Sequence, residues 1–589
     1  MHTIGTKSNY KHKKHNINYD MTKVIIIGGV AGGASAAARA RRLDENAEIV
    51  LLQSGPDVSF ASCGMPYFIG GEITDRSTMA VQTPESLHGR LNLDVRVNTR
   101  VTTIDTEGKK VTASNEKSGE TYDESYDHLI LAVGAAPFKP PIPGIDRPGL
   151  FELRNLQDMD AIVAWLDKKK QDVGGDAGDL HCVVAGAGFV GLEMVEQLIN
   201  HGTNVTLVEM MPQILGPLDV EMASYLETDL VERGVEVITG DAIQEFKAYD
   251  KDPDSSILTL KSGRVLPPAQ LTILGLGVRP DTAVVKEAGI ECTPRGHIAV
   301  NEHLQTNIPS VWAVGDAVEV INPLLPGEKW AVPLAGPANR QGRMVADNIF
   351  GKTMRSYKGT YGTSVVRSFE LYAACVGLNE KMMLAKKVPY SCIHIHPGSH
   401  AGYYPGAKPV HLKLIFDPKT GKIFGAQAVG EDGVEKRIDV IATAMQGNMT
   451  VEDLAELELC YAPPVGSAKD VVNMAGMAAQ NIVEGLVTKV EWTQLESLAH
   501  EKETVILDVR NPGEIKRTGK IADNSLNIPL NDLREHLGDI DKDKHVVVTC
   551  ASGQRAYYAC RILQQHGFEH VDYLGGAYLT FHAVHPGAV

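Results

Sequence analysis

His181-Cys182-Val183-Val184-Ala185-Gly186-Ala187-Gly188-Phe189-Val190-Gly191 is an apolar strand running directly into G-x-G-x-x-G. Leu192 to Asn200 reads as a helix, and Val205-Thr206-Leu207-Val208 as the next strand, ending at Glu209. Strand, glycine-rich turn and helix in this order build a dinucleotide crevice, where Gly186, Gly188 and Gly191 bring the helix N-terminus close to a pyrophosphate. Glu209 is placed to accept from both adenosine ribose hydroxyls. A 2′-phosphate would meet that charge, and Met210 and Met211 supply no compensating arginine, so NADH is expected over NADPH.

A second unit of the same kind lies upstream. Val24-Ile25-Ile26-Ile27 leads into Gly28-Gly29-Val30-Ala31-Gly32-Gly33, followed by a helix from Ala34 to Leu43. The fingerprint keeps Gly28, Gly32 and Gly33 but has valine at 30, and its second strand (49–52) ends at Gln53 instead of an acid; an amide oxygen still accepts from a ribose. Two later stretches support this unit. Residues 127–134, DHLILAVG, form a strand carrying Ala132 and the terminal Gly134, and 306–316 ends in Gly315-Asp316, the strand–Gly–Asp ending that in flavoproteins sets a carboxylate beside the ribityl chain and phosphates of FAD. FAD here and NADH at the other unit imply hydride flow to a flavin that then needs an acceptor.

Ser59-Phe60-Ala61-Ser62-Cys63-Gly64-Met65-Pro66 follows the first unit, and no second cysteine lies within a hundred residues of Cys63. With one cysteine, the partner sulfur must come from a small thiol, a persulfide or an oxidised state of Cys63 itself. Gly64 and Pro66 suit a turn into a helix, where free N–H groups stabilise a thiolate.

The far end reads as a separate small α/β unit. Strands at 505–510 and 546–549 precede Cys550-Ala551-Ser552-Gly553-Gln554-Arg555, a helix follows at 557–566, and another strand ends at Gly575-Gly576. A cysteine between strand end and helix start meets inward backbone N–H groups that cradle an anionic persulfide, and Arg555 adds charge for anionic sulfur donors.

At 589 residues the chain is too long for one core and is expected to divide into about three to five domains. A formal net charge of -16 argues against a general nucleic-acid surface. Eight cysteines without CxxC pairs do not make a disulfide framework. No run of 18 or more apolar residues is present, so no membrane span is expected. Residues 1–20 are polar, lack a signal core and are expected to form a disordered extension; their histidines are not expected to form a metal site.

SFASCGMPYFIGG (59–71), GLGVRP (275–280), VWAVGDA (311–317), PLAGPANRQGR (333–343), HAGYYPGA (400–407) and YAPPVGSAKDVVNMAG (461–476) together resemble the coenzyme A-disulfide reductase branch of the pyridine nucleotide-disulfide oxidoreductases, in its form fused to a rhodanese domain. The NADH-dependent persulfide reductases are the group most similar. The resemblance implies an α/β fold with two Rossmann-like nucleotide-binding domains, an α+β dimerisation domain and a rhodanese-like α/β domain. The expected boundaries are FAD domain 21–150 and 267–350, NAD domain 151–266, dimerisation domain 351–476, linker 477–496 and rhodanese domain 497–589. It further implies a cytoplasmic homodimer whose active sites draw on both subunits.

Usual members of the wider family pair two cysteines at the redox site, whereas here Cys63 would form a mixed disulfide with coenzyme A. Tyr403 and Tyr461 would enter from the partner subunit and act on the departing thiolate, with the adjacent Tyr404 leaving the first choice open. Arg39, Arg42, Ser59 and Asn339 match positions lining the coenzyme A channel; guanidinium groups suit phosphate oxygens, although the arginines also fit a solvated helix face. Glu193 matches an acid near the nicotinamide, the alternative being a helix-start anion. Related single-cysteine peroxidases place a histidine in the first glycine turn, where this chain has Ala31. A rhodanese makes or moves persulfides, so the fusion favours NADH-dependent reduction of coenzyme A persulfide or polysulfide with release of hydrogen sulfide. Coenzyme A-disulfide reduction is the alternative, followed by NADH peroxidase or oxidase chemistry and, last, a non-enzymatic scaffold.

Overall fold

The computed structural model describes residues 21–175 and 177–586, so the expected extension at 1–20 lies outside the described residues. Two five-stranded parallel sheets form the nucleotide-binding units. The first runs in the order Val311–Ala313, His128–Leu131, Lys23–Ile27, Glu48–Leu52, Asp94–Arg96. The second runs Glu236–Ile238, Asn204–Val208, His181–Ala185, Leu271–Leu274, Leu150–Phe151. Their central strands are continuous apolar runs because both faces are covered: Val24, Ile25 and Ile26 are fully buried, as are Cys182, Val183 and Val184.

In the first unit the helix Ala31–Leu43 turns Gly32, Gly33, Ala36, Ala37 and Ala40 inward against the helix Ala335–Phe350. Small residues permit a close crossing; a Cβ on Gly342 would stand 2.1 Å from the Gly32 carbonyl oxygen. This contact returns the later chain segment to the first sheet.

Residues 364–430 form a five-stranded antiparallel sheet, order Ser364–Ser368, Leu371–Gly377, Ile423–Gly430, Val410–Phe416, Ser391–Ile395, packed by the helices Val434–Gln446 and Val471–Val483. The C-terminal unit is another five-stranded parallel sheet, order Thr488–Val490, Val571–Leu574, His545–Thr549, Thr504–Asp508, Leu526–Asn527.

Two strands fall outside the divisions expected from sequence. Leu271–Leu274 lies in the segment assigned to the first nucleotide unit but pairs with the second sheet, Cys182 opposite Leu271. Thr488–Val490 lies in the expected linker yet forms the edge of the last sheet, while the Val471–Val483 helix runs past residue 476. A short apolar run reads alike in either sheet, and only pairing register decides which one it joins.

The last unit is seated on the body of the chain. Its helix Ala577–Val584 packs on the helix Val220–Glu232 of the second nucleotide unit. Tyr225 donates to the Leu579 carbonyl at 3.3 Å and stacks on His411, ring centroids 4.0 Å apart. His396 lies 2.7 Å from His411 between ring nitrogens and reaches Gly576 O and Thr580 Oγ1 with its other nitrogen, at 3.3 and 3.2 Å. Nearby, the carboxylates of Asp219, Glu221 and Glu380 converge on the buried ammonium of Lys413, which fills the space between them.

Candidate active sites

Both glycine turns show why those positions exclude a side chain. Gly28 has φ +98° and Gly186 φ +100°, the left-handed region that suits glycine, and a Cβ on either would stand 2.2 Å from a carbonyl oxygen of the neighbouring strand end, Ala132 or Gly275. Gly33 and Gly191 hold their helices equally close, against the carbonyls of Gly28 and Gly186. Gly32 packs beside Val314, while Gly188 and Gly134 face open space.

Neither helix start has a side-chain cap: Val30 and Gly188 occupy the N-cap positions without a side-chain hydrogen bond. Helix-start N–H groups left this way suit a pyrophosphate. Gln53 Oε1 accepts the Gly29 N–H at 2.8 Å, and Glu209 accepts from Ala187 N–H at 2.7 Å and Met211 N–H at 2.8 Å. In the first unit Asp316 sits after the strand Val311–Ala313, its carboxyl raised above the ordinary range by burial, and the neighbouring Gly315 N–H is held by Gln341 Oε1 at 2.7 Å. A half-buried acid at an uncapped helix crevice fits the ribityl and phosphate side of FAD; the second unit, with Glu209 at its turn, fits NADH. Gln341 lies within the stretch PLAGPANRQGR, but its partner is 26 residues away and nothing in that stretch singles it out.

Cys63 is exposed, and like the other seven cysteines it forms no disulfide. It lies in a single 3-10 turn, Ser62–Gly64, followed by the five-residue helix Met65–Ile69, so the helix start expected beside it amounts to little more than one turn. Ser59 takes φ +51°, an uncommon conformation for a residue with a side chain, and its N–H donates to the Gly29 carbonyl at 2.8 Å. That bond ties the cysteine loop to the first glycine turn. Four residues after Cys63, Tyr67 donates to Glu193 Oε1 at 3.2 Å, and burial pushes the Glu193 carboxyl up to about 7.

Of the residues expected to line a coenzyme A channel, Ser59 belongs to the cysteine loop, and Arg39, Arg42 and Asn339 sit on two facing helices. Ser35 Oγ donates to Asn339 Oδ1 at 2.6 Å, and four residues on, Arg39 Nε binds Asp347 Oδ1 at 2.6 Å. Arg42 is exposed on the same helix. Arg41 is buried instead, spent on the carbonyls of Glu45, Leu91 and Asn92. The structure therefore separates a structural arginine from two that retain access to solvent.

Tyr403 and Tyr461 join through their hydroxyls at 2.8 Å, and both rings are exposed. The bond to Tyr461 holds the Tyr403 phenol above its ordinary value. Tyr404 turns elsewhere, edge-on to His400 at 5.6 Å.

In the last unit Cys550 is fully buried at the base of a loop, where Gly553 N–H at 3.1 Å and Ala556 N–H at 3.4 Å point at its Sγ. Gly553 caps the helix Gln554–Gln565, so the sulfur sits at a twelve-residue helix start. Arg555 makes a two-pronged pair with Glu514, both contacts 2.7 Å. The guanidinium holds the Glu514 carboxyl down at about 2. Glu514 comes from the start of another helix, Pro512–Thr518, and no sequence motif announced it.

Comparison with known proteins follows the same division. Residues 22–342 match the family model "Pyridine nucleotide-disulphide oxidoreductase", 364–471 its dimerisation domain, and 491–583 the "Rhodanese-like domain". A coenzyme A disulfide reductase of Staphylococcus aureus is 34% identical over 462 residues, 78% of this chain and 100% of that protein. The crystal structure of reduced Bacillus anthracis CoADR-RHD superposes with a TM-score of 0.92 at 45% identity, covering 96% of this chain and 99% of that one. A NAD-dependent persulfide reductase from A. fulgidus superposes with a TM-score of 0.86 at 34% identity, covering 95% and 100%.

Proposed function

This chain belongs to the pyridine nucleotide-disulphide oxidoreductases, with that family's dimerisation domain and a rhodanese-like domain, and from that premise we propose that it uses NADH to reduce coenzyme A persulfide or polysulfide, releasing hydrogen sulfide. The observation that carries this reading is the pairing of two unlike sulfurs in one polypeptide: an exposed, unpartnered Cys63 tied to the first glycine turn, and a buried Cys550 held by backbone N–H donors.

When bound, FAD supplies the two-electron relay between NADH and sulfur; Gly28, Gly32, Gly33, Gln53, Ala132, Gly134, Gly315 and Asp316 would hold it. Glu209 and the turn Gly186–Gly191 would hold NADH, with Glu193 at the nicotinamide. The Cys63 thiolate attacks the sulfur bonded to R in R–S–SH, forming Cys63–S–S–R and expelling hydrosulfide. Two electrons and one proton then return Cys63 to the thiolate and release RSH. Tyr403 and Tyr461 of a second copy of the chain would donate the proton to the departing thiolate, while Arg39, Arg42, Ser59 and Asn339 beside Cys63 would bind the coenzyme A phosphates and pantetheine. Cys550 would take sulfane sulfur as Cys550–S–SH, its anion met by the loop N–H groups and by Arg555, and pass it to coenzyme A.

Reduction of coenzyme A disulfide at the same site is the second reading, favoured by the S. aureus relative of that name. Both readings place the enzyme in the cytoplasm as a homodimer. Among the described residues no helix is long and apolar enough to cross a membrane.

Rates of NADH oxidation with coenzyme A persulfide, coenzyme A disulfide and peroxide separate the readings. Persulfide is expected to lead; a lead for coenzyme A disulfide selects the second reading, and a lead for peroxide overturns both. Cys63→Ser is expected to abolish reductase turnover, and Cys550→Ser to abolish sulfur transfer while sparing reduction of a free persulfide.

A further inference from the structure

Glu193, Gln197 and His201 recur every four residues along the helix Phe189–Asn200 and its C-terminal cap, and each grips the segment that follows Cys63. Tyr67 Oη donates to Glu193 Oε1 at 3.2 Å, Gln197 Nε2 donates to Glu72 Oε1 at 2.9 Å, and the His201 ring meets the Ile69 carbonyl. A spacing of four puts all three on one helix face. Arg367, from the strand Ser364–Ser368, closes the third side. Its guanidinium lies 5.3 Å from the centroid of the Tyr67 ring, binds Glu196 Oε1 at 2.7 Å and also binds Glu72.

The cluster thus holds three carboxyls, Glu72, Glu193 and Glu196, and among the described residues Arg367 is the cation bonded into it. Arg367 serves Glu72 and Glu196 directly, leaving Glu193 with a neutral phenol as its hydrogen-bond partner. Buried negative charge without a counter-charge is costly, so the carboxyl lacking an ion pair keeps its proton most readily. Burial raises Glu193 to about 7, and the Tyr67 hydroxyl opposes that rise.

We propose that Tyr67 is a positioning residue for hydride transfer: its hydroxyl holds Glu193 as the carboxylate that faces the nicotinamide ring of NADH. The inference rests on reading the second nucleotide unit as the NADH site. Loss of hydride from the dihydronicotinamide leaves a positive ring, and a fixed carboxylate beside it stabilises the charge as it forms. A protonated Glu193 does not. Because Tyr67 donates, it favours the carboxylate; Tyr67→Phe removes the donor while keeping the ring that Arg367 covers. Tyr67 also lies four residues beyond Cys63, so the same hydroxyl links the hydride end of the site to the sulfur end.

The test is NAD+ binding to the flavin-loaded enzyme, followed by titration calorimetry across neutral pH in buffers of different ionisation enthalpy, which counts protons released. The wild type is expected to release a proton on binding, because the positive ring drives Glu193 to ionise, with the release centred below 7, between the free value of about 7 and the lower bound one. In Tyr67→Phe the centre is expected to move up by about one pH unit, with kcat/KM for NADH at neutral pH falling about tenfold. In Glu193→Gln the release should vanish. If Tyr67→Phe gives the wild-type profile while Glu193→Gln loses the release, the role of Tyr67 is overturned and the NADH site stands. If Glu193→Gln releases protons as the wild type does, Glu193 is not at the nicotinamide, and the reading and the inference fall together.

Discussion

Gln53 and Glu209 brace their glycine turns in the same way: each accepts a turn N–H, from Gly29 at 2.8 Å and from Ala187 at 2.7 Å. The two units therefore share a mechanical element and differ in charge. An amide suffices to hold the first turn, so the charge at residue 209 answers to the ligand.

Glu209→Gln should then keep the turn bond and lose the discrimination. The ratio of kcat/KM for NADH over NADPH is expected to fall by about tenfold, since the 2′-phosphate no longer meets a carboxylate. An unchanged ratio would move selectivity elsewhere in the unit.

The tyrosine pair makes a sharper distinction between neighbours. Tyr403→Phe or Tyr461→Phe should slow turnover with a coenzyme A disulfide or persulfide about tenfold, each by breaking the 2.8 Å hydroxyl contact. Tyr404→Phe should leave the rate near wild type, because its ring packs against His400. Steady-state NADH oxidation reads all three.

Arg555 and Glu514 link the proposed sulfur transfer to acid stability. Arg555→Ala is expected to lower kcat/KM for thiosulfate by about ten- to a hundredfold through loss of a charge-assisted anion contact. Glu514 is held at about 2 against an ordinary value of 4.5, so its contribution to stability is complete above about 4.5 and disappears as pH falls through 2. Chemical denaturation across that window should show a steeper acid loss in the wild type than in Glu514→Gln.

The seat of the last unit should respond at milder pH. Burial holds His411 down to about 4 and His396 well below its ordinary 6.5, so both are neutral when seated. Facing them are Tyr225 and Thr580, with His394, Glu221 and Lys413 beyond. A depressed folded-state value means the stabilisation is full above 6.5 and lost as pH falls toward 4. Limited proteolysis in the 484–487 connection should accelerate over that interval, and His411→Asn should flatten the dependence.

Local chemistry was the legible part of this sequence. Each glycine turn, the Cys63 loop and the Cys550 loop are contiguous, and their residue types follow from backbone geometry that a short stretch sets by itself. What stayed hidden depends on distance along the chain. Tyr67 and Glu193 are separated by 126 residues, and Arg555 and Glu514 by 41. The strands 271–274 and 488–490 were not singled out, because three or four apolar or mixed residues carry no pairing partner in their own sequence. Which of Tyr403 and Tyr404 meets Tyr461 likewise needed side-chain direction.

The first residues of the 577–584 helix donate to the Cys550 loop, Tyr578 N–H to Cys550 O and Leu579 N–H to Ala551 O, while the same helix rests on the body of the chain. A loading dock bolted down in this manner does not travel. On the proposed function, what passes between the two sulfurs would then be carried by cargo on a flexible tether of its own, a moving part on a fixed workbench.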